Sequence, residues 1–224
     1  SSVTPSQIAT VRAQYAADWT SWPVAKGAPF IDRNGNGIFD PPPPFSPMFS
    51  VDSLVSGGYD EPGVSGADMS LPADQVIFTV YNDLNVDKAL YFASSEPMGL
   101  EVQKTMWGYR RTDASGNLYF VRFRLINKGG VDTSVATGDH YGTFWIDSMY
   151  VAQWSDPDLG NAGDDLVGCD TTLGLGFCYN ANAEDGEFQS FSLAPPAVGY
   201  DLLAGARVAS PGDSAMFGCI RRAG

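Results

Sequence analysis

Positive charge is scarce in this chain and histidine nearly absent. Thirteen Lys and Arg stand against 26 Asp and Glu, a net charge of −13, with His140 as the single histidine. Such a surface repels phosphate backbones, which argues against nucleic-acid binding, and it gives no electrostatic reason to adsorb to anionic membranes. One histidine leaves zinc or other transition-metal catalysis short of ligands. No apolar run approaches ~20 residues, so membrane insertion as a helix is not expected. Three cysteines permit one disulfide. Cys169 and Cys178 flank TTLGLGF and could bridge, with Cys219 left over. Phosphate-cradling glycine loops and dinucleotide fingerprints are missing. A serine triad would need His140 with Ser65 (GVSGAD) or Ser214 (PGDSAMFG), and neither context is a nucleophile elbow. The expectation is a protein that is not an enzyme.

What the chain does have is turns and aromatics. With 44% hydrophobic and 17% charged residues, 25 Gly and 15 Pro, it reads as an all-β globular protein with long loops. TPSQIATVRAQYAADW, Thr4 to Trp19, is the exception. Thr4 caps, Pro5 suits the first helical position, Gln7 completes a capping box, and Ile8, Val11, Tyr15 and Trp19 form a stripe expected to dock on the body. From Pro41 to Asp74 the composition is Pro, Gly, Ser and Asp without periodicity, carrying Asp52, Asp60, Glu61, Asp68 and Asp74.

Strand signals follow at Gln75–Asn82, Leu100–Arg110, Asn117–Lys128, Tyr141–Trp154 and, more weakly, Leu173–Ala181. The second puts Val102, Lys104 and Met106 on one face, with Gln103, Thr105 and Trp107 on the other. Strands joined by short turns predict a mainly β fold, an antiparallel β-sandwich with long Gly/Pro/Asp-rich loops and one N-terminal helix. The organisation expected is residues 1–40 as helix and ion loop, 41–74 as irregular connection and 75–224 as the body.

Two acidic segments carry the chemistry. In IDRNGNGIFDPPPP, Asp32, Asn34 and Asn36 alternate, Gly37 sits sixth where the chain must turn, Ile38 offers its carbonyl and Asp40 a carboxylate. Oxygens on alternate residues of a curling loop suit calcium, a hard cation that takes six to eight of them. The nine residues resemble the loops of dockerins and thrombospondin type 3 repeats. Pro43 stands where an EF-hand carries its bidentate Glu, and PPPP cannot continue a helix, so a paired-helix sensor is excluded. Missing oxygens would come from Asp52, Asp60 or Glu61. The alternative is a metal-free Asn-Gly turn with acidic decoration. The second segment, SDPDLGNAGDDLVGCD, supplies Asp156, Asp158, Asp164, Asp165 and Asp170, which repel one another unless a cation or solvent separates them. It reads as a second calcium loop or as a solvated acidic one.

Five tryptophans, Trp19, Trp22, Trp107, Trp145 and Trp154, are core candidates or a glycan-stacking platform, with Trp107 and Trp145 the two to examine for exposure. WPVAKGAPFIDRNGNGIFDP, DQVIFTVYNDLN, GLEVQKTMWGY, RLINKGG and WSDPDLGNAGDDLVGCDTTLGLGFCYNA, then PPAVGYDLL and GDSAMF, resemble a recurrent segment of large secreted bacterial surface proteins of the type IX secretion kind. The likeness runs from about Val11 to Met216. It implies an exported, multidomain context on the cell surface or shed from it, of which this sequence is one piece. The leading expectation is a secreted, calcium-stabilised structural or adhesive protein whose partners are copies of itself or other surface proteins. A free edge near Leu173 would be one route to such pairing. A carbohydrate-binding module for a glycan comes second, and a hydrolase using acidic residues third.

Overall fold

The computed structural model describes residues 3–43, 58–64, 73–129, 146 and 149–207, together with the backbone of 214–217 and 220–223. Asp52, Ser65, Asp68, His140, Trp145 and Cys219 lie outside the described residues, as does the Ser214 side chain. The expected fold class is what the chain forms: mainly β, with antiparallel sheets of the sandwich type and a helix at the N-terminus. The chain divides into two compact units, Ser1–Asp147 and Ser148–Gly224.

In the first unit, α1 (Pro5–Thr20) starts as its sequence dictates: Gln7 N–H donates to Thr4 Oγ1, and Thr4 N–H donates back to Gln7 Oε1 at 2.8 Å. Its apolar stripe does not dock as expected. Ile8, Val11 and Tyr15 are exposed, and only Trp19 in the last turn is partly covered, its indole N–H reaching the Asp60 carbonyl at 2.8 Å. One anchoring residue fixes the end of the helix without burying its face. After a 3-10 turn at Val24–Lys26, β1 (Phe30–Ile31) pairs with β2 (Glu61–Pro62).

Three longer strands form one sheet, β3 (Gln75–Asn82), β4 (Leu100–Gly108) and β5 (Tyr119–Asn127), in sequence order and antiparallel. Register sets Thr105 between Phe78 and Arg122, and Gln103 between Val80 and Arg124. The face of β4 with Gln103 and Thr105 is the buried one, while Val102 and Met106 are half-buried. Trp22 covers part of that face, edge-on to Phe78. A helix that the strand pattern did not announce, α2 (Val86–Ala93), is capped by Asn85, and Asp83 ties the return by accepting from Met98 N–H and Leu100 N–H, both at 2.6 Å.

The second unit holds β6 (Asp165–Asp170), β7 (Leu175–Asn180) and β8 (Ala197–Asp201), an antiparallel sheet with β7 in the middle, and the short α3 (Gly186–Gln189) before β8. A further hairpin joins β9 (Ser214–Phe217) to β10 (Ile220–Ala223). Part of the acidic segment expected as a loop is therefore strand. The Gly-rich strand near Leu173 is not an edge, because β6 and β8 occupy both its sides. Of the strand expected at Tyr141–Trp154, the described residues Ile146 and Met149–Trp154 lie outside any ladder.

Candidate metal centres

The first acidic segment curls into a loop held by its own side chains. Asp32 Oδ1 and Oδ2 accept from Gly35 N–H and Gly37 N–H, each at 2.7 Å. Asn34 Oδ1 accepts from Asn36 N–H at 3.0 Å, and Asn36 Oδ1 from Ile38 N–H at 2.7 Å. Both amide nitrogens then converge: Asn34 Nδ2 and Asn36 Nδ2 donate to Asp40 Oδ2 at 2.9 and 2.8 Å. Those bonds, Asn34 first, hold the Asp40 carboxyl below its ordinary pKa.

Beneath the loop lies Asp60, fully buried. Its Oδ1 accepts from Arg33 N–H at 2.8 Å and its Oδ2 from Asp40 N–H at 2.9 Å. Both mouths of the loop are thus pinned by one carboxylate 20 residues beyond its end. Glu61 beside it pairs with the Arg33 guanidinium. Of the three acidic residues considered as completing the loop, Asp60 and Glu61 do reach it, as clamps on its backbone and on Arg33.

The residues fit a hard cation in their donor types. Asp32, Asn34, Asn36, Asp40 and the Ile38 carbonyl all carry oxygen, and the amides of Asn34 and Asn36 would present oxygen to Asp40 only after a half-turn that gives up the bonds they accept from Asn36 N–H and Ile38 N–H. Two amide oxygens beside Asp40 Oδ2 would then surround a positive charge. Among the described residues, no three His, Cys, Asp or Glu side chains gather as a metal-holding group. A loop of this composition does not need them, since amides and a carbonyl supply its remaining oxygens.

The second acidic segment is divided by the strands. Asp165 opens β6 beside the end of β7, with Asp164 closing the 3-10 turn just before it, whereas Asp170 sits at the far end of β6, accepting from Thr172 N–H and Leu173 N–H at 2.9 and 3.1 Å. Asp156 and Asp158 are exposed. Asp156 lies near enough to the buried Cys178 to add to the effect of burial and of Asp165, which together push its thiol pKa up. Sequence reasoning passed over Asp185, which is 3% exposed. Its carboxylate accepts from Asn161, Glu187 and Phe188 N–H at 2.9, 2.9 and 3.1 Å, capping α3 and pinning the acidic segment. The Asn161 bond leads in lowering its pKa. The DG dipeptide before a short apolar run was the available cap signal.

Cys169 and Cys178 are free. Cys169 pairs with Gly176 and Cys178 with Val167, so the two cysteines are diagonal neighbours. Diagonal Cα separations of ~7–8 Å exceed the ~4.4–6.8 Å a disulfide spans. Trp107 is half-buried and stacks on Phe120 with ring centroids 5.5 Å apart. No helix among the described residues is long and apolar enough to cross a membrane. Compared with family models, curated proteins and solved structures, the chain matches none.

Proposed function

We propose that the chain is a secreted, calcium-stabilised β protein with a structural or adhesive role at the bacterial cell surface or in an extracellular assembly. The observation that carries this reading is the gathering of the oxygen-bearing side chains of Asp32, Asn34, Asn36 and Asp40 in one curled loop, above a buried Asp60 that fixes both of its ends. Clamped at both ends, the loop is a fastener with little room to act as a lever. The ion would supply charge neutralisation and cross-linking, with Asp32, Asn34, Asn36, Asp40 and the Ile38 carbonyl as its ligands. Calcium outside cells is abundant enough to keep sites with dissociation constants of roughly 0.1–1 mM occupied. The likeness to segments of secreted surface proteins supports the location, and the acidic surface suits such surroundings.

The test is calorimetry of the full chain in EDTA and in calcium, with bound metal counted by mass spectrometry. Calcium should raise the thermal midpoint and Asp32→Asn should abolish most of the rise. An unchanged midpoint with no bound metal would overturn the reading. Association with copies of itself should appear in size-exclusion chromatography at rising concentration, and a strictly monomeric species would count against the assembly role.

A second reading, a carbohydrate-binding module, is favoured by one observation: Trp154 is 83% exposed and Tyr150 95% exposed on the stretch before the acidic segment. Sugar faces stack on such rings. Polysaccharide pull-down by the wild type but not by Trp154→Ala would favour it.

A further inference from the structure

Three side-chain oxygens at the junction of β6 and β7 are buried without a hydrogen-bond partner: Asp164 Oδ1, Asp165 Oδ1 and Asn180 Oδ1. Each residue uses its other polar atom on the protein. Asp164 Oδ2 accepts from Asn182 Nδ2 at 2.6 Å, Asp165 Oδ2 from Leu159 N–H at 2.9 Å, and Asn180 Nδ2 donates to the Asn182 carbonyl at 2.9 Å. These bonds set the side chains and leave one oxygen of each residue without a partner.

The oxygens of Asp165 and Asn180 belong together by register, and Asp164 is tied to them through Asn182. Asp165 and Asn180 are direct cross-strand partners, so their side chains leave the same face of the sheet. Asp164 precedes Asp165, its carbonyl takes the Ala181 N–H at 2.8 Å, and Asn182 bridges it to Asn180. Asn180 is only 9% exposed, so its bare oxygen has little access to bulk water. The ion pairs found among the described residues, Arg33 with Glu61 and Lys128 with Glu101, leave these two aspartates uncompensated by a basic side chain. Two carboxylate oxygens and an amide oxygen, all acceptors, call for a positive charge that is hard and takes oxygen alone.

We infer that Asp164, Asp165 and Asn180 form a second divalent-cation seat, of calcium type, at the β6–β7 junction. The inference rests on the reading of the chain as a calcium protein, but on atoms separate from those of the Asp32 loop. It replaces a five-aspartate loop with two aspartates, an asparagine recruited from the neighbouring strand, and water. With three protein oxygens against the six to eight that calcium takes, the seat is weak, with a dissociation constant of roughly 0.1–1 mM.

The experiment is calcium binding to the full chain by equilibrium dialysis and by native mass spectrometry, in wild type, Asp32→Asn, Asp165→Asn and Asn180→Asp. Asp165→Asn keeps an oxygen for the Leu159 N–H and removes one charge, so affinity at the second equivalent should fall about tenfold or more. Asn180→Asp should raise that affinity, and its thermal midpoint should be lower than wild type in EDTA but recover in calcium. Asp32→Asn should leave the second equivalent in place. If Asp165→Asn and Asn180→Asp bind calcium as wild type does, or if Asn180→Asp is equally destabilised with and without calcium, the seat is refuted. Loss of binding in Asp165→Asn but not in Asp32→Asn would refute the Asp32 loop and support this seat.

Discussion

Asp60 and Asp40 hold each other twice, Asp40 N–H donating to Asp60 Oδ2 at 2.9 Å and Asp60 N–H donating to the Asp40 carbonyl at 3.0 Å. The second bond ties the far end of the loop to the residue just before β2. The first places a buried charge under a loop that carries charges of its own. Asp60→Asn substitutes an amide donor for one oxygen, so an N–H now faces the Arg33 or Asp40 N–H. The expected cost is about 2–4 kcal/mol, the range for losing a charge-assisted bond and leaving a buried donor unpaired. Urea titration measures it, and a loss below about 0.5 kcal/mol would mean that Asp60 is not the clamp.

Gly160 in the second unit presents the opposite problem, space rather than charge. Its φ is +84°, and an added Cβ would lie 2.3 Å from Asp185 Oδ1. Gly160→Ala must therefore strain the backbone and displace the carboxylate that caps α3, costing about 2–4 kcal/mol. Gly37 has a similar φ of +75° but nothing within 4 Å of such a Cβ. Gly37→Ala should cost only about 1–2 kcal/mol, the left-handed backbone penalty alone. Equal losses in the two variants, compared by denaturant titration, would show that the contact with Asp185 has no weight.

Local signals were legible and distant ones were not. The capping box joins Thr4 and Gln7, three residues apart, β3 is rich in β-branched and aromatic residues, and β4 and β5 carry an alternating sequence, so all of these could be read in advance. β6 was hidden because Asp165, Val167 and Cys169 share a face, as do Leu166, Gly168 and Asp170, and neither set is apolar throughout. The helix α2 is only eight residues long, and its Asn85 cap precedes a stretch read as connection. The roles of Asp60 and Asn180, and the hold of Asp185 on Asn161, arise from partners 15 to 27 residues away, such as Arg33 for Asp60 and Asp165 for Asn180, which no local pattern encodes. The ligand types of the Asp32 loop were visible in order, but the clamp beneath it was one of three equal candidates.

Acid should loosen both loops. Asp40 and Asp185 have folded-state pKa values lowered, by the Asn34 bond first for Asp40 and the Asn161 N–H first for Asp185. A lowered carboxyl pKa means that the folded state prefers the ionised form. The stability it contributes is present above the unfolded aspartate value of about 3.9 and is lost as pH falls through the folded value. The thermal midpoint should therefore hold steady from about pH 7 to 5 and decline below about 4. Asp185→Asn should flatten that decline. An undiminished slope in the variant would remove Asp185 from the account.

The two described cysteines should part company chemically. Cys169 is exposed, whereas Cys178 is 4% exposed and its pKa is raised, by burial first and then by Asp165 and Asp156. Only the thiolate attacks an alkylating reagent, so burial and the raised pKa both slow Cys178. With iodoacetamide at about pH 8, close to the ordinary thiol pKa, peptide mapping should find Cys169 modified well before Cys178. Modification of Cys178 should then accelerate with urea, because its access depends on opening of the β6–β7–β8 sheet. Calcium bound at the β6–β7 junction would stabilise the closed sheet and retard Cys178 further while leaving Cys169 unchanged. A peptide linking the two cysteines would contradict the diagonal register that keeps them apart, and equal rates of modification would contradict the burial of Cys178.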